Sequence, residues 1–285
     1  MEVIVNGLLT GGLYAATALG LSVVFGTLRM VNLAHGELLM VGAYLTSVLV
    51  VALGGDPLLL AIPAALILGL LAYPLQRFVL TPVMVRNADA PVTATFGVSI
   101  ALQSILLLVF TSNPRSLNAP YATAQLEVLG VGVRVSLLIA TAIALAMVFG
   151  VHLLLTQTRF GSRVRAAAND ADAAGLVGID VKHTFAMVLG LAAAVAAMGG
   201  ALLALSYSAS PSGGMTWLVT AFTVVVIGGL GSVRGTLVGA LLVGLVQTLA
   251  SRFIGAQYSD VVVFGLLIAI LLIRPEGLFT KARRA

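Results

Sequence analysis

Cysteine is absent from the 285 residues, and charge is scarce: ten acidic and fifteen basic side chains make up only 9% of the chain. The first absence excludes disulfides, a thiolate metal site and a cysteine nucleophile. The second excludes a soluble domain, which would carry about a quarter charged residues to cover its surface. Two chemical signatures are missing as well, the G-x-x-x-x-G-K-[ST] phosphate loop and the zinc motif H-E-x-x-H. Nor does a polybasic arm or an aromatic-basic patch point to nucleic acid. No catalytic, metal or cofactor residue is therefore assigned to this chain.

What is present is apolar length. Hydrophobic residues make up 60% of the chain and mean hydropathy is +1.13. A helix needs about 20 apolar residues to cross hydrocarbon. Runs of that kind fall at roughly 3–28, 36–53, 58–80, 93–111, 136–157, 185–206 and 258–273. Between the last two, residues 217–251 hold two apolar stretches of about 15 residues around the polar, glycine-rich GGLGSVRG at 228–235. That region reads as two short spans or a re-entrant pair. The expected fold is all-α, one polytopic bundle of about 8–9 membrane segments over 1–285. The first run follows only Met1 and Glu2, lacks a positive leader and is too long for a signal-peptide core, so it reads as a retained span.

Basic residues set the expected orientation. With the N-terminus outside and the C-terminus cytoplasmic, Arg29, Arg77, Arg86, Arg159, Arg163, Arg165, Lys182, Arg234, Arg274, Lys281, Arg283 and Arg284 fall inside. That is 12 of 15, leaving Arg115, Arg134 and Arg252 outside. Two loops are long enough for structure of their own. Outside, the alternating run 126–135 predicts a small hairpin. Inside, the 158–184 loop carries an Ala-rich amphipathic stretch from Arg165 to Leu176, with Gly175 as its stop. Its small face suits a groove on another protein, with Asn169, Asp170 and Asp172 at the rim.

The polar residues inside the spans each admit two readings. Asn6, Thr10, Tyr14 and Thr17 fall within about 80° of helix arc beside Gly7 and Gly11. They suit either close helix packing or one wall of a polar path. Thr95, Ser99 and Gln103 form a second stripe, where the buried amide of Gln103 needs a partner in another helix or in the substrate. Gly228, Gly229, Gly231 and Gly235 suit close packing or a helix broken near the midplane, of the kind that builds transporter sites. The polar element Asn32–His35–Glu37 is placed at the inner boundary, where Glu37 reaches water or Arg29. It serves as a gating break or as a plain helix-capping turn.

These residues converge on a family. NGLLTGGLYAATALGL at 6–21, Phe25-Gly26, VNLAHGE at 31–37 and Gly42-Ala-Tyr44 resemble the branched-chain amino acid permeases of ATP-binding cassette (ABC) importers, the shorter of the two subunit types. The likeness continues at TRFG 158–161, Arg165-Ala166, Gly178-Ile179, AFT 221–223 and GGLGS 228–232 with Gly235. One departure is GSRVR at 161–165, where a positive charge is displaced by one residue from the family's pattern.

The resemblance implies an inner-membrane importer with a second homologous permease subunit, two ATP-binding cassette subunits that hold ATP and Mg, and an extracytoplasmic substrate-binding protein. Arg165, Asn169, Asp170, Asp172 and Gly175 would couple to the ATPase. Asn32, His35, Glu37, Gln103 and the four glycines would gate the path. Related permeases carry urea, short amides or other amino acids. A self-contained channel or ion-coupled carrier is the reading from another class, and it would need intramembrane charge that the deep spans hardly supply. Because no native cysteine interferes, orientation is directly measurable. Ser116→Cys is expected to react with an impermeant thiol reagent from outside, and Ala171→Cys and Ala282→Cys only from inside. External labelling of Ala171→Cys would reverse the topology.

Overall fold

The computed structural model describes residues 1–84, 90–128, 130–274 and 277–279. Arg86, Lys281, Arg283 and Arg284 of the orientation count, and the labelling position Ala282, lie outside them. In chain order the helices are α1 Glu2–Leu28, α2 His35–Leu53, α3 Pro57–Pro74, α4 Thr81–Met84, α5 Ala90–Phe110, α6 Pro120–Thr123 and α7 Val135–Gln157. They continue as α8 Arg159–Asn169, α9 Ala171–Leu176, α10 Val181–Ser206, α11 Gly214–Gly228, α12 Val233–Phe253 and α13 Ser259–Ile273. Among the described residues eight helical stretches are long and apolar enough to cross a membrane, and α11 is a shorter apolar helix. The only sheet among the described residues is the predicted hairpin, β1 Gln125–Val128 against β2 Val131–Arg134, antiparallel with Gln125 opposite Arg134.

Local chemistry sets the boundaries. Asp56 caps α3 by accepting the Leu58 N–H at 2.8 Å, and Pro57 supplies the first helical residue. After Pro74, whose ring withholds one N–H from the ladder, the chain widens into a π turn over Leu75–Leu80. Asp180 caps α10 through the His183 N–H at 2.9 Å. That amide bond, followed by the Arg77 guanidinium 3.7 Å away, holds the Asp180 carboxyl below the usual carboxylate range. Tyr73 closes the cluster, its hydroxyl lying 2.7 Å from His183 Nδ1 and accepting from Arg77 at 3.0 Å. The end of α3 is thereby pinned to the start of α10.

Two sequence readings are corrected. The 217–251 region does not divide evenly. α11 rises about 22 Å over its 15 residues, whereas α12 with 21 rises about 31 Å and is long enough to cross. The reason is Ser232, whose Oγ accepts the Gly235 N–H at 3.0 Å and starts α12 before Arg234, so half of the polar run is helix. The amphipathic stretch in the 158–184 loop also differs from the single helix 165–176. Helix begins earlier, at Arg159, capped by Thr158, and breaks at Asp170. There the backbone is extended and the side chain caps a second helix through the Ala173 N–H. Gly175 lies inside α9 rather than ending it. The stop is Gly178, at φ 85, a conformation that only glycine adopts readily.

α1 is the central element, most of its residues buried, and packs on α12, α10 and α7. Apolar burial gives little drive between helices already in lipid, so close approach and dispersion contact must hold them. Gly7 and Gly11 supply that approach. A Cβ on Gly11 would lie 2.6 Å from the Leu241 Cα, and one on Gly244 only 2.3 Å from the Gly11 nitrogen. α5 and α13, by contrast, are mostly exposed, with only Pro91, Thr95 and Leu106 buried on the first and Ser259 and Val263 on the second. Gly11→Leu is therefore expected to destabilise the purified chain by at least about 2 kcal/mol through overpacking. Gly97→Leu on α5, where a Cβ meets nothing within 4 Å, should leave thermal unfolding in detergent unchanged. Equal melting of the two variants would contradict this packing.

Candidate functional site

α1 has two functional faces at its N-terminal half. The glycines pack on α12, while Asn6, Thr10 and Tyr14 line a cavity of about 1090 Å³. The stripe thus divides: Asn6, Thr10 and Tyr14 face the cavity, Gly7 and Gly11 face α12, and Thr17 lies outside the cavity lining, its carbonyl bonded to His35. The cavity opens at the end of the bundle that carries Glu2, the hairpin residue Arg134, and Arg252 from the end of α12. Its floor is aromatic: Tyr14 meets Trp217 edge-on with ring centres 6.1 Å apart, and Tyr207 lies 6.2 Å from the same tryptophan. Tyr14 donates to Gln247 Oε1, and Gln247 donates on to Asp260 at 3.0 Å, which fixes the phenol ring.

A second cavity, about 500 Å³, lies at the opposite end. Val23, Gly26 and Thr27 of α1 form one wall, His152 and Thr156 of α7 another, and Val164, Arg165 and Ala168 of α8 a third. Gly231–Arg234 complete it, with the Arg234 guanidinium 2.9 Å from His152 Nε2. The glycine break thus belongs to this end, not to the midplane. Gly228 and Gly235 face each other so tightly that a Cβ on either would come within 2.2 Å of the other's carbonyl oxygen. Gly231, at φ 81, lies against Gly26 of α1.

Between the cavities the bundle is closed by the polar element 32–37. Asn32 shapes the turn: its Oδ1 accepts the Ala34 N–H at 3.1 Å and its carbonyl accepts the His35 N–H at 3.2 Å. His35 is fully buried, and its Nε2 donates to the Thr17 carbonyl at 2.7 Å. Thr17 lies eleven residues before the end of α1, about 16 Å back along the helix. The chain must therefore climb back into the bundle between Arg29 and Ala34, a distance six extended residues reach. Thr95 of α5 holds the climb, its hydroxyl accepting the Leu33 N–H at 3.2 Å while its own proton is shared between the Val92 carbonyl at 3.1 Å and the Val31 carbonyl at 3.4 Å.

The inner-boundary placement of this element is therefore overturned. Glu37 is 2% exposed and packs against Gly214 at the start of α11, not against Arg29. A Cβ on Gly214 would fall 2.2 Å from the Glu37 Oε1. The Glu37 carboxyl lies beside the N-terminal end of α11, with its buried Oε2 lacking a hydrogen-bond partner among the described residues. Burial on this scale comes from α11 itself: its short length leaves its first residue inside the bundle.

The proposed site residues thus part into groups. Asn32, His35 and Glu37 form the closure, and Gly231 lines the second cavity, with Gly228, Gly229 and Gly235 in the tight turn beside it. Gln103 is half-buried on α5 and lines neither cavity. Arg165 lines the second cavity, while Asn169, Asp170, Asp172 and Gly175 are exposed. The small alanine face does not wait for a partner's groove: Ala167 and Ala174 are 3% and 4% exposed, buried within this chain. Leu176 and Val177 instead project at 90% and 76% exposure. Sequence reasoning missed them, and it also missed Arg134, Tyr207, Trp217 and Gln247 in the first cavity. No three His, Asp or Glu side chains among the described residues gather as a metal site would require.

Two cavities at opposite ends of a bundle of membrane-length helices, with a buried closure between them, define a multi-pass membrane permease. Residues 3–271 match the family described as branched-chain amino acid transport system / permease component, and the chain belongs to that family. It is 32% identical to the high-affinity branched-chain amino acid transport system permease protein BraD of Pseudomonas aeruginosa, covering 99% of this chain and 96% of that one. Identity to LivH, the corresponding protein of Escherichia coli, is 30%, over 97% and 94% of the two chains. A solved structure, PsaBC from Streptococcus pneumoniae in complex with Fab, shares the fold at TM-score 0.52 and 15% identity, covering 97% of this chain and 93% of that one.

The contact between Glu37 and Gly214 gives a test. Gly214→Ala should lower the melting temperature by forcing the carboxylate aside. Adding Glu37→Ala should recover most of the loss, as expected for directly coupled sites. Strict additivity of the two changes would remove the contact.

Proposed function

We propose that this chain is the permease subunit of an ATP-driven importer of branched-chain amino acids in a bacterial-type inner membrane. The relatives' shared description as branched-chain amino acid permeases carries the reading. On it, the chain works as a single membrane domain beside a second homologous permease, two ATP-binding cassette subunits and an extracytoplasmic binding protein. The N-terminus lies outside and the C-terminus in the cytoplasm. Nucleotide chemistry stays in the partners.

The two cavities suit alternating access. The larger receives substrate from the binding protein, and the smaller releases it to the cytoplasm. The closure between them follows one ridge of α1, with residues three apart. Tyr14 lines the first cavity, Thr17 and Gly20 meet His35, and Val23 and Gly26 line the second. α8 supplies the link to the ATPases. One face walls the inner cavity through Val164, Arg165 and Ala168, and its continuation ends in the exposed Leu176–Val177 tip. A push on that tip shifts the cavity wall directly. The capped break at Asp170 keeps the tip at a fixed angle, with Asn169, Asp170 and Asp172 at its polar rim.

Uptake by the reconstituted complex tests the assignment. Labelled leucine is expected to accumulate only with ATP and the full partner set, and urea and glutamate to be excluded. Leucine uptake by the chain alone would establish a self-contained carrier instead. Leu176→Asp with Val177→Asp should abolish stimulation of ATPase activity by loaded binding protein, at least tenfold, with membrane insertion unchanged. Intact stimulation would remove the tip from the coupling surface.

A further inference from the structure

The larger cavity is lined by charged groups that form no ion pair with one another. Among the described residues the only ion pair is Arg77 with Asp180, so Glu2, Arg134 and Arg252 face this cavity without a charged partner. Two of them are cationic and one anionic, and all stand above the aromatic floor. Arg134 is the better placed of the cations. Its guanidinium lies 5.3 Å from the centre of the Tyr207 ring and reaches the Tyr207 hydroxyl at 3.5 Å. Stacking of this kind orients the planar fork while leaving other N–H groups free, the arrangement that recognises a carboxylate. Glu2 belongs to the same quarter of the rim, its Oε1 close to Gly132, two residues from Arg134.

We propose that this cavity is a binding site for a free α-amino acid with an apolar side chain. Arg134 takes the carboxylate, Glu2 the ammonium group, and the Tyr14–Trp217–Tyr207 floor the hydrocarbon. The inference deepens the importer reading by giving this chain its own substrate site, ahead of the closure at His35. A site of about 1090 Å³ exceeds the usual range of small-molecule pockets, roughly 300–1,000 Å³, so the ligand is held with part of its hydration. Loose holding is what a transit site requires. Asn6 and Thr10 add no charge preference of their own, because Asn6 already donates to the Gly132 carbonyl at 3.2 Å and Thr10 to the Asn6 carbonyl at 2.9 Å.

The absence of native cysteine makes the site directly readable. Thr10→Cys, placed on the cavity wall in the assembled transporter, would be labelled with a small maleimide and the reaction followed on this chain. Millimolar L-leucine is expected to slow labelling at least fivefold. L-leucinamide, which lacks the carboxylate, and 4-methylvalerate, which lacks the ammonium group, should not. Arg134→Gln should abolish protection by leucine, and Arg134→Lys should restore part of it. Equal protection by leucine and leucinamide would overturn the assignment, as would no protection in a complex that imports leucine. Protection by leucine in a complex that does not import it would keep the site and defeat the importer reading instead.

Discussion

A chain solvated by lipid gains little by pressing one apolar helix on another, so the approach of backbones decides what holds this bundle together. α1 shows how far the approach goes. Gly7 and Gly11 admit α12 on one side, and Gly20 admits the Ala192 carbonyl of α10 on another, with a Cβ there only 2.5 Å from that oxygen. α10 returns the contact through Gly199, against the Ala16 carbonyl, and extends it to α2 through Gly200, against Leu39. Small residues thus interlock four helices into one body. Polar groups then fill what the glycines leave open, which is why the cavity wall and the packing face share a single helix.

The spans were legible in the sequence because hydrophobic length is a local property, and each predicted run corresponds to a helix within a few residues. The hairpin was legible for the same reason, since its alternation lies within ten residues. The uneven division of 217–251 and the break at Asp170 were not. Both depend on a capping side chain, Ser232 or Asp170, which competes with helix continuation, and the outcome is decided by one hydrogen bond. Site residues divide along the same line. Asn6, Thr10 and Tyr14 announce themselves by helical spacing, but Arg134, Tyr207, Trp217 and Gln247 join them only when four distant segments fold together. The depth of Glu37 was hidden most completely. It follows from the shortness of α11, 177 positions away, which leaves Gly214 inside the bundle to meet the carboxylate.

The closure sits where two irregular segments meet. One is the climb from Arg29 to Ala34, and the other is the stretch before Gly214 that includes Tyr207 and Ser208 of the larger cavity. Irregular backbone at membrane depth is tolerated when it is buried in protein or lines a polar space, and both conditions hold here. Tyr44 binds the second segment to α2, its hydroxyl donating to the Ala209 carbonyl at 3.1 Å and the Asn113 carbonyl at 2.8 Å. The same α2 starts with the His35 closure. α2 thus joins the segment around Ala209, next to the larger cavity, to the closure at His35.

This arrangement limits what can move. Gly42 of α2 lies so close to α10 that a Cβ would come within 2.2 Å of the Ala197 Cα, so α2 cannot slide along α10 without first separating from it. α1 is held the same way on two sides. Cores packed to this degree switch between discrete arrangements rather than deform continuously. Outside the interlock lie the climbing segment 29–34 and the α8–α9 loop on the inner cavity, whereas the start of α11 is clamped to α2, a Cβ on Gly36 falling 2.0 Å from the Gly214 carbonyl oxygen. Each of the three ends at one of the two cavities or at the closure between them.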